Sequence, residues 1–293
     1  RNLRSIGMAT LREIKHRIGS VKSTQQITRA MKMVAAAKLR KSQQLLSQSR
    51  SYATELYRLA SELSHRRMVG THRYFEQRPV NNVCYVLITA DRGLCGSFNP
   101  NLIRTANEEL ETYAPTKPCL VTIGRKGYEH YKRREYPVAG HYVDFFNQLS
   151  LNHAKTIVKR LLHRFQQKSI DRVFVVYNEF ESIVQQRIVI KPFLPMVPWP
   201  QHDYEKNMDM LFDPHPQVIL NEIAPRALNY SMYQMLLQSY TAEQGARMTA
   251  MEQASDNADE MIKDLVLFYN KTRQAAITKE LSEIVGGAEA LRG

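Results

Sequence analysis

Apolar residues recur at Leu11, Ile14, Ile18 and Val21, steps of three and four that give a helix one buried face. Thr10, with Glu13 three residues later, has the spacing of a capping box at the start of that helix. After a polar break at Gln25 and Gln26, a second register runs Met31, Ala35, Lys38, Ser42, Leu45, Ser49, Tyr52, Leu56, Leu59 and Leu63. Small and polar residues fill its middle, which suits two helices in close approach. A helix from Thr10 to about Arg66 would extend roughly 85 Å at ~1.5 Å per residue.

A second long helix is predicted to start near Pro225, where proline is tolerated in a first turn. Its apolar positions are Leu228, Met232, Met235 and Leu236, then Ala246, Ala250, Ala254, Met261, Leu265 and Phe268. The closing stretch Ile277, Leu281, Ile284, Val285, Ala288 and Leu291 is apolar along one side, and Gly286-Gly287 would bend or fray it. Between the two helices, strand candidates at Asn82–Ala90, Cys119–Gly124, Val138–Val143, Arg172–Asn178 and Ile183–Lys191 alternate with helical patterns. Those helices fall near Asn101–Tyr113, Lys126–Arg134 and Leu151–Gln167. Such alternation implies a parallel or mixed sheet flanked by helices.

Proline placement agrees. All twelve prolines lie between Pro79 and Pro225, and proline costs about 3 kcal/mol inside a helix. The predicted fold is α/β with long helices: an antiparallel coiled coil of the terminal helices and a central Rossmann-like domain. The expected parts are residues 1–78, 79–216 and 217–293, with Pro192 to Pro216 as an extended return to the second long helix.

Charge sharpens this picture. Seventeen Lys and Arg against four Glu lie before residue 79, so the first segment carries the chain's whole net charge of +13. A basic stripe of that density calls for an acidic partner: nucleic acid, anionic lipid or an acidic protein surface. The plain alternative is a solvated face, which would normally mix both signs. The opening run RNLRSIGM is basic and free of acids, as the mature end left by a removed transit peptide would be, or the end of a trimmed piece. Cys84, Cys95 and Cys119 have no metal-ligand spacing and are odd in number, which fits a reducing compartment. The longest apolar stretch, around Val83 to Ala90, is far below the ~20 residues of a membrane span.

Candidate chemistry is sparse. The segment DRGLCGSFN, Asp91 to Asn99, follows a strand and precedes a helix, where a phosphate loop would sit. It lacks both the dinucleotide fingerprint and the Walker lysine, so a tight turn is the expected use, with Asp91 as a helix cap and Cys95 as a small packing residue. Neither His153 nor His163 has a carboxylate or cysteine neighbour at ligand spacing. Near the end, Arg273, Gln274, Thr278 and Glu280 cannot share one stripe of a helix, so they offer polar groups on more than one side. A helix packed in one coiled coil has no use for that arrangement; a tip surrounded by another protein does.

Three motifs in order, ATLREIKHRIGSVKSTQQITRAMKMVAAAKLRKSQ, DRGLCGSFN and ITKELSEIVGGAEAL, resemble the gamma subunit of F-type ATP synthases. The resemblance covers both long helices and the start of the central domain, and residues from about Tyr113 to Pro216 are less distinctive. It implies a central rotor shaft with no active site and no cofactor of its own. The shaft would stand inside a ring of alternating alpha and beta subunits, with its foot on the membrane c-ring beside small stalk subunits of epsilon or delta type. Proton flow would turn ring and shaft, and the asymmetric shaft would drive each beta site through successive nucleotide affinities. The membrane would be touched only through the c-ring, and nucleic acid not at all.

Matched motif by motif, Met31 falls where the family faces an acidic beta loop, and Arg273, Gln274, Thr278 and Glu280 fall in its C-terminal contact region with beta. The loop at Arg92 and Cys95 would lie near the same stator surface. No cysteine pair is inserted in the middle domain, so the redox switch of plastid relatives is not expected. Gln26 and Gln253 leave the coil register open. The non-Met start favours the matrix side of the mitochondrial inner membrane over a bacterial location. Two readings compete. A nucleic-acid-binding coiled-coil arm would also explain the basic helix, although interleaved aromatics are missing. A nucleotide-dependent enzyme built on the sheet fails for want of a phosphate loop.

Overall fold

The computed structural model describes residues 10–65, 72–112, 118–134, 136–183, 185–199 and 213–290. The opening run, Leu291 and most of the stretch from Pro192 to Pro216 lie outside them. The order is α1 (Leu11–His65), β1 (Val83–Ile88), α2 (Phe98–Glu111), β2 (Cys119–Ile123), α3 (Arg125–Tyr131) and β3 (Val138–Tyr142). There follow α4 (Leu151–Gln166), β4 (Arg172–Phe180), β5 (Gln186–Leu194) and α5 (Pro216–Ala290). A short 3-10 turn at Phe146–Gln148, absent from the sequence pattern, leads into α4.

Packing divides the chain into two compact units, Arg1–Val34 with Met248–Gly293, and Ala35–Arg247. The expected cuts at residues 78 and 216 follow the helix and sheet pattern. The observed cuts fall inside the long helices, and the end of α1, Leu56 to Leu63, together with the first part of α5 joins the core of the sheet.

In the larger unit five strands run in the order β3-β2-β1-β4-β5, the first four parallel and β5 antiparallel to β4. All six residues of β1 are buried, as a strand covered on both faces requires. Tyr85 and Leu87 face α2 and α3, meeting Leu102, Ala106, Leu110 and Tyr131. Their neighbours Cys84, Val86 and Ile88 point the other way, because successive side chains of a strand alternate. They join Ile157, Leu161 and Phe165 of α4, Ala60 and Leu63 of α1, and Leu220, Ala224, Leu228 and Met232 of α5.

Strand β5 runs Gln186–Leu194, later than the expected Ile183–Lys191. Ser182 and Gln185 close a turn, Ser182 N to Gln185 O at 3.0 Å, which leaves Ile183 exposed. Pro192 continues the strand because β5 is an edge, where a missing N–H goes unmissed. Helix α5 starts at Pro216, one proline earlier than expected, and Pro225 lies inside it. The carbonyl that Pro225 cannot reach belongs to Asn221, an exposed residue that water can serve.

In the smaller unit, α1 and α5 run antiparallel. Gln25 Nε2 donates to Asp259 at 3.2 Å, Thr28 meets Ser255 at 2.7 Å and Lys32 reaches Glu252 at 2.6 Å, so one number rises as the other falls. The capping box forms: Thr10 N donates to Glu13 Oε2 at 2.7 Å, and Glu13 N to Thr10 Oγ1 at 3.4 Å. Gln25, expected in a polar break, is buried in the seam, while Gln26 and Gln253 are exposed.

The inward face of α1 steps by four and three through Ile14, Ile18, Val21, Gln25 and Thr28, and again through Ala35, Leu39 and Ser42. That period of 3.5 keeps a seam on one side of a helix. The expected second register holds at Ala35, Ser42 and Leu63, which are buried, and at Ser49 and Tyr52, which reach α5: Gln234 Nε2 donates to Ser49 Oγ at 2.6 Å, and the rings of Tyr52 and Tyr230 meet edge-on at 4.6 Å. It is corrected at Leu45, 36% exposed, and at Leu39, Ala53 and Ala60, which it passed over and which are buried.

Candidate functional site

The loop after β1 sits at the carboxyl end of the sheet, beside the point where strand order reverses between β1 and β4. In doubly wound sheets that crevice receives the ligand. Asn99 ties the loop down, accepting from Ala90 N at 2.9 Å through Oδ1 and donating to Cys95 Sγ at 3.2 Å through Nδ2. Asp91 Oδ1 accepts from Arg125 N at 3.0 Å, so it caps α3 across the loop rather than the helix that follows it. Gly124 holds the neighbouring turn at φ 91°, and a Cβ there would lie 2.1 Å from Thr89 O.

The crevice is full. Ala242 and Ala246 of α5 pack into it against Ala90, Cys95, Phe98 and Phe180. Around them Phe180 N donates to Gln238 Oε1 at 3.1 Å, and Ser239 Oγ donates to Ile88 O at 3.3 Å. Arg247 Nη2 donates to the carbonyls of Arg92 and Gly93, both at 3.3 Å, while its Nη1 lies 2.7 Å from Glu243 Oε1. Both ends of that ion pair are buried. Burial pushes the Glu243 carboxyl above its usual range, and the Arg247 guanidinium opposes the shift. The sheet therefore offers its ligand seat to its own helix.

Of the residues singled out from sequence, Arg92 is exposed and shows its carbonyl to Arg247. Cys95 is buried, 2% exposed, and burial raises its thiol pKa. Leu94, passed over in the sequence, is the loop's projecting group: 63% exposed, with φ 62°. A left-handed leucine is uncommon, and no pattern of hydrophobicity would flag it. The Glu243–Arg247 pair was legible as an i,i+4 spacing, but its burial was not.

In the other unit, Met31 is half-buried on α1, among exposed cations that include Arg12, Lys15, Arg17, Lys22 and Arg29. Arg273, Gln274, Thr278 and Glu280 are all exposed on α5. At about 100° per residue, Arg273 and Glu280 share one side, and Gln274 and Thr278 another. Thr278 Oγ1 donates back to Gln274 O at 3.0 Å. Ile277, Leu281, Ile284 and Val285 form an apolar stripe between them, 49% to 68% exposed. Nothing among the described residues covers that stripe. No group of three or more His, Cys, Asp or Glu among them could hold a metal ion, and no described helix is long and apolar enough to cross a membrane.

Comparison with known proteins bears on this arrangement. The profile of a family described as ATP synthase matches residues 10–291. The ATP synthase gamma chain of Chloroherpeton thalassium is 43% identical over 300 residues, covering 97% of this chain and 99% of its own length. That of Salinibacter ruber is 39% identical over 97% and 99%. A chain from the Euglena gracilis mitochondrial ATP synthase superposes with a TM-score of 0.65 over 96% of this chain and 94% of that one, at 19% identity. One from the Tetrahymena thermophila mitochondrial ATP synthase central stalk and c-ring gives 0.62 over 78% and 99%, at 24% identity. The two structures speak for the fold. The profile and the sequence relatives decide descent: the chain belongs to the ATP synthase gamma chain family.

Proposed function

We propose that this gamma chain works as a rotor stalk that carries torque and performs no bond chemistry itself. The observation that carries the reading is the end of α5. Its polar groups face two directions and its apolar stripe lies bare, as suits a tip turning within a sleeve of other subunits. Buried seams let α1 and α5 pair along their length, and Ala242 and Ala246 of α5 occupy the crevice at the carboxyl ends of β1 and β4. In this reading the tip and the basic face of α1 meet alpha and beta subunits, acidic loops of beta above all. Met31, Arg92, Arg273, Gln274, Thr278 and Glu280 lie on those contacts, and Cys95 shapes one. The larger unit would stand toward the c-ring and toward small subunits of epsilon or delta type.

The chain would then be membrane-associated only through the complex. A mitochondrial address has no support from the named sequence relatives, which are bacterial. Nothing in the fold favours the nucleic-acid alternative. The test is to assemble the chain with alpha and beta subunits, fix beta to a surface and follow a fluorophore on the chain during ATP hydrolysis. Stepwise turning relative to beta is expected; a probe that stays fixed while ATP is hydrolysed would overturn the proposal.

A further inference from the structure

Cys84 and Cys119 are register partners on the neighbouring parallel strands β1 and β2. Both belong to the sheet face that carries α4. Adjacent strands lie about 4.7–4.9 Å apart, inside the Cα window of about 4.4–6.8 Å from which a disulfide can close. The surroundings of the two sulfurs differ. Cys84 is sealed in the core, whereas Cys119 is half-buried in the wall of a cleft of about 330 Å³. Arg164 of α4 lines the same cleft and points Nη1 at Cys119 Sγ, 3.7 Å away.

The titratable or charged groups facing Cys119 are Cys84 from β1 and Arg164 from α4. The neighbouring Cys84 and the Arg164 guanidinium hold the Cys119 thiol below its ordinary pKa, against the effect of burial. The Cys84 thiol, beside Cys119 and buried, is pushed well up. One sulfur thus lies beside a guanidinium in the wall of a cleft, and the other is sealed in the core next to it. Reactive cysteines with a resolving neighbour have this asymmetry. Both sulfurs lie toward the start of their strands, away from the loop at Arg92.

We propose that Cys119 is a reactive thiol and Cys84 its resolving partner, together an exchange site for low-molecular-weight disulfides. The Cys119 thiolate attacks one sulfur of a disulfide RSSR. The bond from Cys119 Sγ to SR forms, the reagent's S–S bond breaks, and RS⁻ leaves. Cys84 then gives up its proton and attacks Cys119 Sγ; the Cys84–Cys119 bond forms and the second RS⁻ leaves, taking up that proton. Two protein thiols are oxidised, one disulfide is reduced to two thiols, and excess RSH reverses both steps. The result is a covalent stitch between β1 and β2, set by the thiol–disulfide balance around the protein.

Glutathione disulfide added to the full-length folded chain tests this, read by intact mass and peptide mapping. The wild type is expected to lose two hydrogens and yield a Cys84–Cys119 linked peptide. Cys84→Ser is expected to stop at one glutathione on Cys119, and Arg164→Met to raise the pH at which that adduct forms, with Arg164→Lys restoring much of the shift. Cys95, whose thiol pKa is raised by burial, is the internal control. A wild-type chain in which Cys119 stays reduced, reacts no faster than Cys95, or keeps its glutathione without closing on Cys84 would overturn the proposal. This reading holds for wild type even if a variant fails to fold.

Discussion

Arg247 pairs with Glu243 at 2.7 Å one turn earlier on α5, and the same guanidinium holds the carbonyls of Arg92 and Gly93. Removing one partner of a buried ion pair strands the other charge, at a cost of about 3–5 kcal/mol. Arg247→Ala should lower the stability of the folded chain by that order in urea denaturation. Replacing both, as Glu243→Leu with Arg247→Met, should cost far less. The deficit should depend on pH. A carboxyl with a raised folded pKa binds its proton more tightly folded than unfolded. The Arg247→Ala deficit therefore shrinks as pH falls toward the ordinary carboxylate range and grows as pH rises through the folded pKa.

The Thr28–Ser255 contact makes a second prediction. Both hydroxyls are buried and 2.7 Å apart in the seam of the smaller unit. Thr28→Val alone removes the cross-helix contact while Ser255 Oγ still donates to Met251 O at 2.8 Å, so the loss is that of one net hydrogen bond, about 0.5–1.5 kcal/mol. Thr28→Val combined with Ser255→Ala should recover most of that loss. A double-mutant cycle by thermal or chemical melting measures the coupling, and full additivity of the two changes would contradict the contact.

His72 predicts acid sensitivity. It is buried, with Nε2 at 3.1 Å from Asn221 Oδ1 and Nδ1 accepting from Tyr74 N at 3.4 Å, an arrangement suited to the neutral ring. Burial lowers its pKa, so the unfolded chain binds the proton more readily. Stability is present above about pH 6.5 and falls as pH drops through the window down to the depressed folded value. His72→Gln should flatten that part of the stability–pH curve, leaving the slope from His130, whose pKa burial also lowers.

Arg273 tests the tip. If its guanidinium bonds a beta subunit in the rate-limiting orientation, a contact worth about 1.5–3 kcal/mol is lost in Arg273→Ala. Turnover of the assembled complex should then fall roughly ten-fold or more. Assembly should persist, because Arg273 is exposed. ATP hydrolysis normalised to assembled beta subunit decides; wild-type rates would reduce Arg273 to a solvated charge.

The elements were legible where one residue decides them. Thr10 and Glu13 marked the first helix start, and the proline-free flanks marked two long helices. The inward face of α1 was misread at Lys38 and Leu45: the expected steps ran three then four after Ala35, whereas burial runs four then three through Leu39 and Ser42. Gln25 read as a break because its partner, Asp259, is 234 residues away. The Asp91 cap landed on α3 for the same reason: β2 brings Arg125 back beside β1, and no local pattern announces that return. Tip residues could be picked out because mixed polarity is visible in sequence. Leu94 could not, since its prominence comes from backbone geometry.

Ala242 and Ala246 in the crevice of the sheet have one more consequence. A guest from solution occupies its site according to its concentration, and dilution empties it. A segment of the same chain is held at a fixed effective concentration, set only by the length and stiffness of the connection. The helix therefore stays seated whatever the surrounding metabolite levels, and the grip between α5 and the carboxyl ends of β1 and β4 is constant.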